Sequence, residues 1–135
     1  MGQQTYLKAN REKMKVLFEL PDDQELMMLN FLKYKITISE TGLSGEACYR
    51  EYMKAATPFF KLARAEVVFF GRPQSTLIGP EEEALWDDVL IVKYKNPESF
   101  LKMVQEDGYP SELREQALLD SRLIYCKSHL AKEPK

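Results

Sequence analysis

The chain has 135 residues, 44% of them hydrophobic and 30% charged, with a formal net charge of -2. Those proportions fit a single globular domain with an ordinary core, and so even a charge balance, with Lys and Arg scattered among acids, argues against a phosphate-tracking or anionic-membrane surface. No apolar run approaches the roughly 20 residues of a membrane span, and the start, MGQQTYLKANREK, lacks a signal peptide's apolar core. A cytoplasmic protein that engages neither nucleic acid nor membrane is expected. Cys48 and Cys126 have no metal or redox spacing and read as reduced, buried small hydrophobes.

In chain order, residues 5–20 lean helical, with Leu7, Met14, Leu17 and Phe18 near helical spacing. Pro21, Asp22 and Asp23 break that pattern. The strand expected at 25–34 carries Met27, Leu29 and Phe31 on one face and Leu26, Met28, Leu32 and Tyr34 on the other. Asn30 is its exception: left unsatisfied on a doubly buried strand, its amide would cost about 1 to 3 kcal/mol, so it needs a hydrogen bond to another element or to a ligand. Residues 36–44 form a loop.

From Gly45 a helix buries Tyr49, Tyr52, Met53, Ala56, Phe59, Phe60 and Ala63 and exposes Glu46, Arg50, Glu51, Lys54, Lys61 and Arg64. Pro58 predicts a kink at 55–58 that divides it into two segments. A strand at 66–70 is bent by Gly71, Arg72 and Pro73, with pairing expected to resume at Thr76, Leu77 and Ile78. The acids Glu81, Glu82 and Glu83 read as a solvated loop. Trp86 opens the third strand, which runs to Tyr94 and is apolar on both faces through Val89, Leu90, Ile91 and Val92.

Asn96, Pro97 and Glu98 spell a helix start. The helix buries Phe100, Leu101, Met103 and Val104 and stops at Asp107 and Gly108. After Pro110 a short helix at 111–119 turns Leu113, Ala117 and Leu118 inward, and the last strand spans 122–128. The tail beyond it is polar, and His129, the single histidine, reads as solvated.

Apart from the leading helix, the order β-α-β-β-α-β matches an α+β, ferredoxin-like domain: a four-stranded antiparallel sheet with helices on one face and the first and third strands central. The divisions are a helical extension at 1–20, the domain at 21–130 and a polar tail at 131–135. The two inner strands are those apolar on both faces, so one face of the sheet is left without cover. A homodimer packed sheet to sheet supplies that cover.

The runs Met28-Leu29-Asn30-Phe31-Leu32-Lys33-Tyr34-Lys35 and Trp86-Asp87-Asp88-Val89 with Tyr94 carry a resemblance. So do Phe100 with Met103, and Arg114 through Ala117 and Leu118 to Asp120-Ser121-Arg122-Leu123-Ile124. Together they resemble the DUF1330 family of the dimeric α+β barrel superfamily, over most of the chain from Pro21 to Tyr125. The resemblance implies the dimeric ferredoxin-like fold and little about activity, because the family's function is itself undefined. One departure is that the family usually closes its first long helix with a Gly-rich turn, where this chain has Ala65 and Glu66.

The chain has no G-x-S-x-G, Cys–His pair, zinc-ligand cluster or phosphate-cradling glycine loop, so no metal and no cofactor are expected. Six residues near strand ends and helices are candidates for a site. Asp87 and Arg114 are the catalytic candidates, and Asn30, Tyr52, Trp86 and Arg122 the ligand-binding ones. Each also has a structural role open to it: packing for Tyr52 and Trp86, a strand-end acid for Asp87, and ion pairs for Arg114 (with Asp87 or Asp120) and Arg122. Three functions fit. The first is a binding protein holding a small apolar ligand in a cavity of the dimer. The second is a cofactor-independent enzyme, isomerase- or monooxygenase-like, acting on a small hydrophobic oxygenated substrate with Asp87 as base and an Arg holding a carboxylate or enolate. The third is a structural subunit with no ligand.

Overall fold

The structure is a computed structural model that describes residues 4–81 and 83–129. Glu82 of the acidic run and the tail beyond His129 lie outside the described residues; His129 itself is exposed. The chain folds as α1 (Arg11–Met14), a 3-10 turn (Lys15–Glu19), β1 (Leu26–Tyr34), α2 (Gly45–Ala63), β2 (Glu66–Gly71), β3 (Asp88–Tyr94), α3 (Pro97–Gln105), α4 (Ser111–Ala117) and β4 (Leu118–Cys126). The four strands form one antiparallel sheet in the order β2-β3-β1-β4. The inner pair, β1 and β3, are the strands whose residues are apolar on both faces. Among the described residues no helix is long and apolar enough to cross a membrane.

Alternation along the inner strands separates the two faces. Leu26, Met28, Asn30, Leu32 and Tyr34 of β1 and Asp88, Leu90, Val92 and Tyr94 of β3 are buried, while the residues between them are half-buried. The buried set joins Cys48, Tyr49, Tyr52 and Ala56 of α2 and Phe100, Leu101 and Met103 of α3 in one core, so the helices cover this face. The opposite face carries Met27, Leu29 and Phe31 of β1 with Val89 and Ile91 of β3. Opposed residues in an antiparallel ladder share a face. Phe69, opposite Ile91, and Ile124, opposite Leu29, therefore extend this apolar surface onto the edge strands, where both are exposed.

α2 is the element that sets the interior. The Ser44 hydroxyl accepts from the Ala47 amide (3.1 Å) and caps it. The Gly45 amide donates to the Lys35 carbonyl at the exit of β1 (2.8 Å), and the Lys35 amide donates to the Ala117 carbonyl (3.1 Å). A Cβ at Gly45 would overlap those same backbone atoms, so glycine is required where α2, β1 and α4 meet. α2 is one helix and not two segments: Pro58 and Lys54, whose carbonyl the proline leaves without a donor, are both exposed, and solvent can take its place. The helix closes on Arg64 at φ 55°, with the Ala65 amide donating to the Phe60 carbonyl (2.9 Å). A non-glycine residue in this conformation costs roughly 1 kcal/mol.

Other boundaries depart from the sequence expectation for local reasons. The leading helix starts at Arg11, not at residue 5, because Asn10 caps it and the segment before it is used elsewhere: the Tyr6 amide donates to Asp120 (2.8 Å) and the Tyr6 carbonyl accepts from the Ser121 hydroxyl (2.7 Å). Residues 76–78 do not pair; β3 begins at Asp88, which leaves no strand beside them, and Leu77 and Ile78 stand exposed. β4 begins at Leu118, four residues early, since Leu118 pairs with Tyr34 across a bulge and ends α4. Asn96 caps α3 as expected, accepting from the Ser99 amide (2.8 Å). Cys48 is buried, its thiol against the Leu113 carbonyl, whereas Cys126 is only half-buried.

Candidate functional site

The helix-covered face carries a polar cluster inside an otherwise apolar layer. Asn30 lies at mid-sheet, where its amide nitrogen donates to the carbonyls of Leu90 (3.3 Å) and Met28 (3.5 Å), and its Oδ1 accepts from the Arg114 guanidinium (3.2 Å). Around this pair stand Tyr49 and Tyr52 of α2, Tyr94 of β3 and Tyr109. Arg114 draws down the pKa of each of these four phenols, while burial, the larger influence in every case, pushes it up. Tyr109 is pushed up to about 12, and the other three lie further above their ordinary value. All four are therefore neutral hydroxyls at physiological pH. The Tyr52 and Tyr109 hydroxyls bond each other.

These rings form a row. Tyr34 and Tyr49 are 5.6 Å apart between centroids, Tyr49 and Tyr52 5.1 Å, Tyr52 and Tyr109 6.2 Å, and Tyr109 and Phe59 5.6 Å. A surface cleft adjoins each end of the row. One, of about 450 Å³, is bounded by residues 108–113 and Gln116 and includes Tyr109. The other, of about 430 Å³, is lined by Tyr34, Tyr49, Phe70, Glu46, Arg50, Arg72 and Asp88.

The second cleft is the more chemically furnished. Asp88 is buried at its floor, where one oxygen accepts from the Tyr34 hydroxyl (2.5 Å) and the other from Arg72 Nε (3.4 Å). Arg72 also reaches Glu46 (2.8 Å), which Arg50 holds from the next turn of α2 (2.9 Å). Burial first, then the bond to Asp88, pushes the Tyr34 phenol far above its ordinary range.

The six residues singled out in the sequence divide between the faces. Asn30, Tyr52 and Arg114 are brought together on the covered side. Trp86 and Arg122 meet on the open side: Trp86 packs on Phe31 (5.9 Å between centroids), and the Arg122 guanidinium lies between the Trp86 ring (5.2 Å) and the Tyr6 ring (4.7 Å). Arg122 also holds Asp120 (2.7 Å) and the Ser121 carbonyl (2.7 Å), so it fastens the N-terminal arm to β4. Asp87 sits between the faces, with Oδ2 accepting from the Tyr34 amide (2.8 Å) and its own amide donating to Leu32 (2.8 Å). Arg114 pairs with neither Asp87 nor Asp120; it bonds the Asn30 amide oxygen and the Tyr49 hydroxyl instead.

The sequence reading missed Tyr34, Tyr49, Arg72, Asp88 and Tyr109. A signal for Asp88 was present: counting back by two from Leu90 puts it, and not Asp87, on the covered face. Tyr34 falls on the Asn30 face by the same count. Arg72 had no such signal, because a loop places it. Among the described residues no group of His, Cys, Asp and Glu could hold a metal ion.

This architecture is shared with a solved protein. A crystal structure of a protein of unknown function from Rhodopseudomonas palustris, a structural genomics target, is 25% identical, with 95% of this chain and all of that one aligned at a TM-score of 0.82. A methylated form of that protein aligns as well, at 24% identity, 0.82, and 97% and 100% coverage. SnoaB, a cofactor-independent oxygenase from Streptomyces nogalater, aligns at 15% identity over 80% of this chain and 96% of its own, with a TM-score of 0.48 too low to bear on function. No family model and no curated protein matches the chain.

Proposed function

We propose that this chain is a homodimeric small-molecule-binding protein of the dimeric α+β barrel type, related to the DUF1330 family, with one ligand held between the sheet and the helices of each subunit. The observation that carries the binding reading is the row Tyr34–Tyr49–Tyr52–Tyr109, with Asn30 and Arg114 beside it, leading inward from the cleft at Asp88. A chain this size gains more from apolar residues at such positions than from six hydroxyl, amide and guanidinium groups that must all be paired. Aromatic walls with a few convergent polar groups are what a small-molecule site requires. Phe69 and Ile124, exposed on the open face, together with the half-buried Met27, Leu29, Phe31, Val89 and Ile91, support pairing of two subunits through that face.

Native mass spectrometry of gently purified protein tests this reading. The expected species is a dimer with a small-molecule adduct that is lost in Asn30→Ala; bare monomer in every preparation would overturn it.

The 2.5 Å hydrogen bond between Tyr34 and Asp88 favours a second reading, a cofactor-independent enzyme. In that reading Asp88 is the base and Tyr34 the proton donor, since Asp87 already accepts from a backbone amide. Asp88→Asn would then abolish turnover of the copurifying molecule and leave its affinity within a few-fold, while Asp87→Asn would lower stability instead. Unchanged turnover in Asp88→Asn would remove this reading.

A further inference from the structure

The charges around the tyrosine row do not balance. In the cleft lined by Tyr34 and Tyr49, the two acids Glu46 and Asp88 face the two arginines Arg50 and Arg72, and each acid is paired. Arg114, half-buried, does not itself line the cleft and meets it through Tyr49. Among the described residues it makes no ion pair, and the side chains it bonds, the Asn30 amide oxygen (3.2 Å) and the Tyr49 hydroxyl, are both uncharged.

A guanidinium has five donors in a planar fork suited to a two-oxygen anion. Taking it partly out of water without a counter-charge is costly, and a hydrogen bond to a neutral amide repays only part of that cost. The groups around it add donors and no negative charge. Tyr49, which Arg114 hydrogen-bonds, and Tyr52 hold protonated hydroxyls. Tyr49 is also a wall of the cleft, so a molecule lodged there lies against the residue that touches Arg114. Two further residues of the lining, Tyr34 and Phe70, are aromatic as well.

We infer that the ligand is a small aromatic or apolar carboxylate, whose two oxygens pair with the Arg114 guanidinium while its ring rests on Tyr34, Tyr49 and Phe70. This rests on the reading that the ligand lies between sheet and helices, and it adds the chemical class. Arg114 is then the ligand's anchor, and Asn30 orients it by holding one of its nitrogens. The paired charges at the cleft leave its mouth neutral, so selection for the anion happens at Arg114.

The test compares phenylacetate with its neutral isostere phenylacetamide at neutral pH, by calorimetry and ligand-observed NMR on the full chain. Phenylacetate should bind about tenfold or more tightly than the amide, the discrimination expected of one charge-assisted fork. Arg114→Gln should bring the two within about twofold of each other, and Arg114→Lys, which keeps charge but loses the fork, should fall between. Far-ultraviolet circular dichroism would establish that the variants are folded, and the wild-type comparison stands even if they are not. Equal binding of the two probes would overturn the carboxylate inference and leave the ligand layer intact. Binding of neither at about 10 mM would overturn both, since affinities weaker than that lie below even fragment-sized ligands in a formed site.

Discussion

The two faces of the sheet are built from alternate residues of the same strands, yet they solve opposite problems. On the covered face, Leu26 and Leu32 are sealed from solvent, and among them sit Asn30, Asp88 and a row of tyrosines that pair with one another or with arginines. On the open face, the central residues of β1 and β3 are apolar almost without exception, and they end half-buried. The face that needs no partner carries the polar groups, and the face that could have been polar is not. The proposed ligand layer on the covered side and the proposed subunit contact on the open side would account for that inversion.

Placing a charge at the centre of the open face should produce the largest effect. Ile91→Lys would put two ammonium groups into the proposed symmetric interface, and the dimer dissociation constant should rise at least about a hundredfold. Analytical ultracentrifugation reads this, and wild-type protein sedimenting as a monomer at micromolar concentration would end the dimer proposal. Paired truncations sharpen the contrast. Leu32→Ala should cost about 2 to 5 kcal/mol in denaturant unfolding. Leu29→Ala should cost less than half of that if the open face meets water, and a similar amount if a second sheet covers it.

Much of the fold was legible because burial imposes a period of two on strands and 3.6 on helices, and β1, α2 and β3 carry those periods with few interruptions. The failures come from tertiary contacts that no local pattern encodes. Residues 5–10 read as helix until Asp120 and Ser121 claim the backbone of Tyr6, more than a hundred positions away. Leu118 and Leu119 continue a helical pattern until β1 offers an edge. Within the site, Asn30, Tyr52 and Arg114 were recognisable as polar or amphipathic groups at core positions. For Trp86 and Arg122 the sequence left the face open: Trp86 lies outside β3, where alternation gives no side, and the side of Arg122 depends on the register of β4 against Phe31.

The tyrosines give the covered face a pH signature. The folded-state pKa values of Tyr34, Tyr49, Tyr52, Tyr94 and Tyr109 are all raised, chiefly by burial. Their stabilisation is therefore fully present below the unfolded phenol value of about 10 and is lost as pH rises past it, by up to about 1.4 kcal/mol per pH unit for each tyrosine that stays protonated in the fold. Unfolding free energy should drop steeply above about pH 10, and less steeply in Tyr52→Phe. A flat profile to pH 11 would contradict the buried, neutral state of the row.

The smallest effect concerns the N-terminal arm. Burial raises the Asp120 pKa, but the Tyr6 amide, Arg122 and the Ser121 amide outweigh it and hold the carboxyl below its usual range. The stability it confers is present above the unfolded value of about 4 and is lost as pH falls through the folded one. Asp120→Asn should weaken the arm's attachment by about 1 kcal/mol. Because Arg122 lies between Tyr6 and Trp86, the sole tryptophan, fluorescence reports the change directly. An emission spectrum and melting curve identical to wild type would mean the arm is not fastened there.

Met27 and Met28 are adjacent in β1 and lie on opposite faces, so their methyl resonances distinguish a ligand between sheet and helices from one between two sheets. In a titration of carbon-13-methyl-labelled protein with phenylacetate, the Met28 methyl should shift saturably while the Met27 methyl stays in place. A Met27 shift with Met28 unmoved would put the ligand on the open face and contradict the division of labour between the two sides of the sheet.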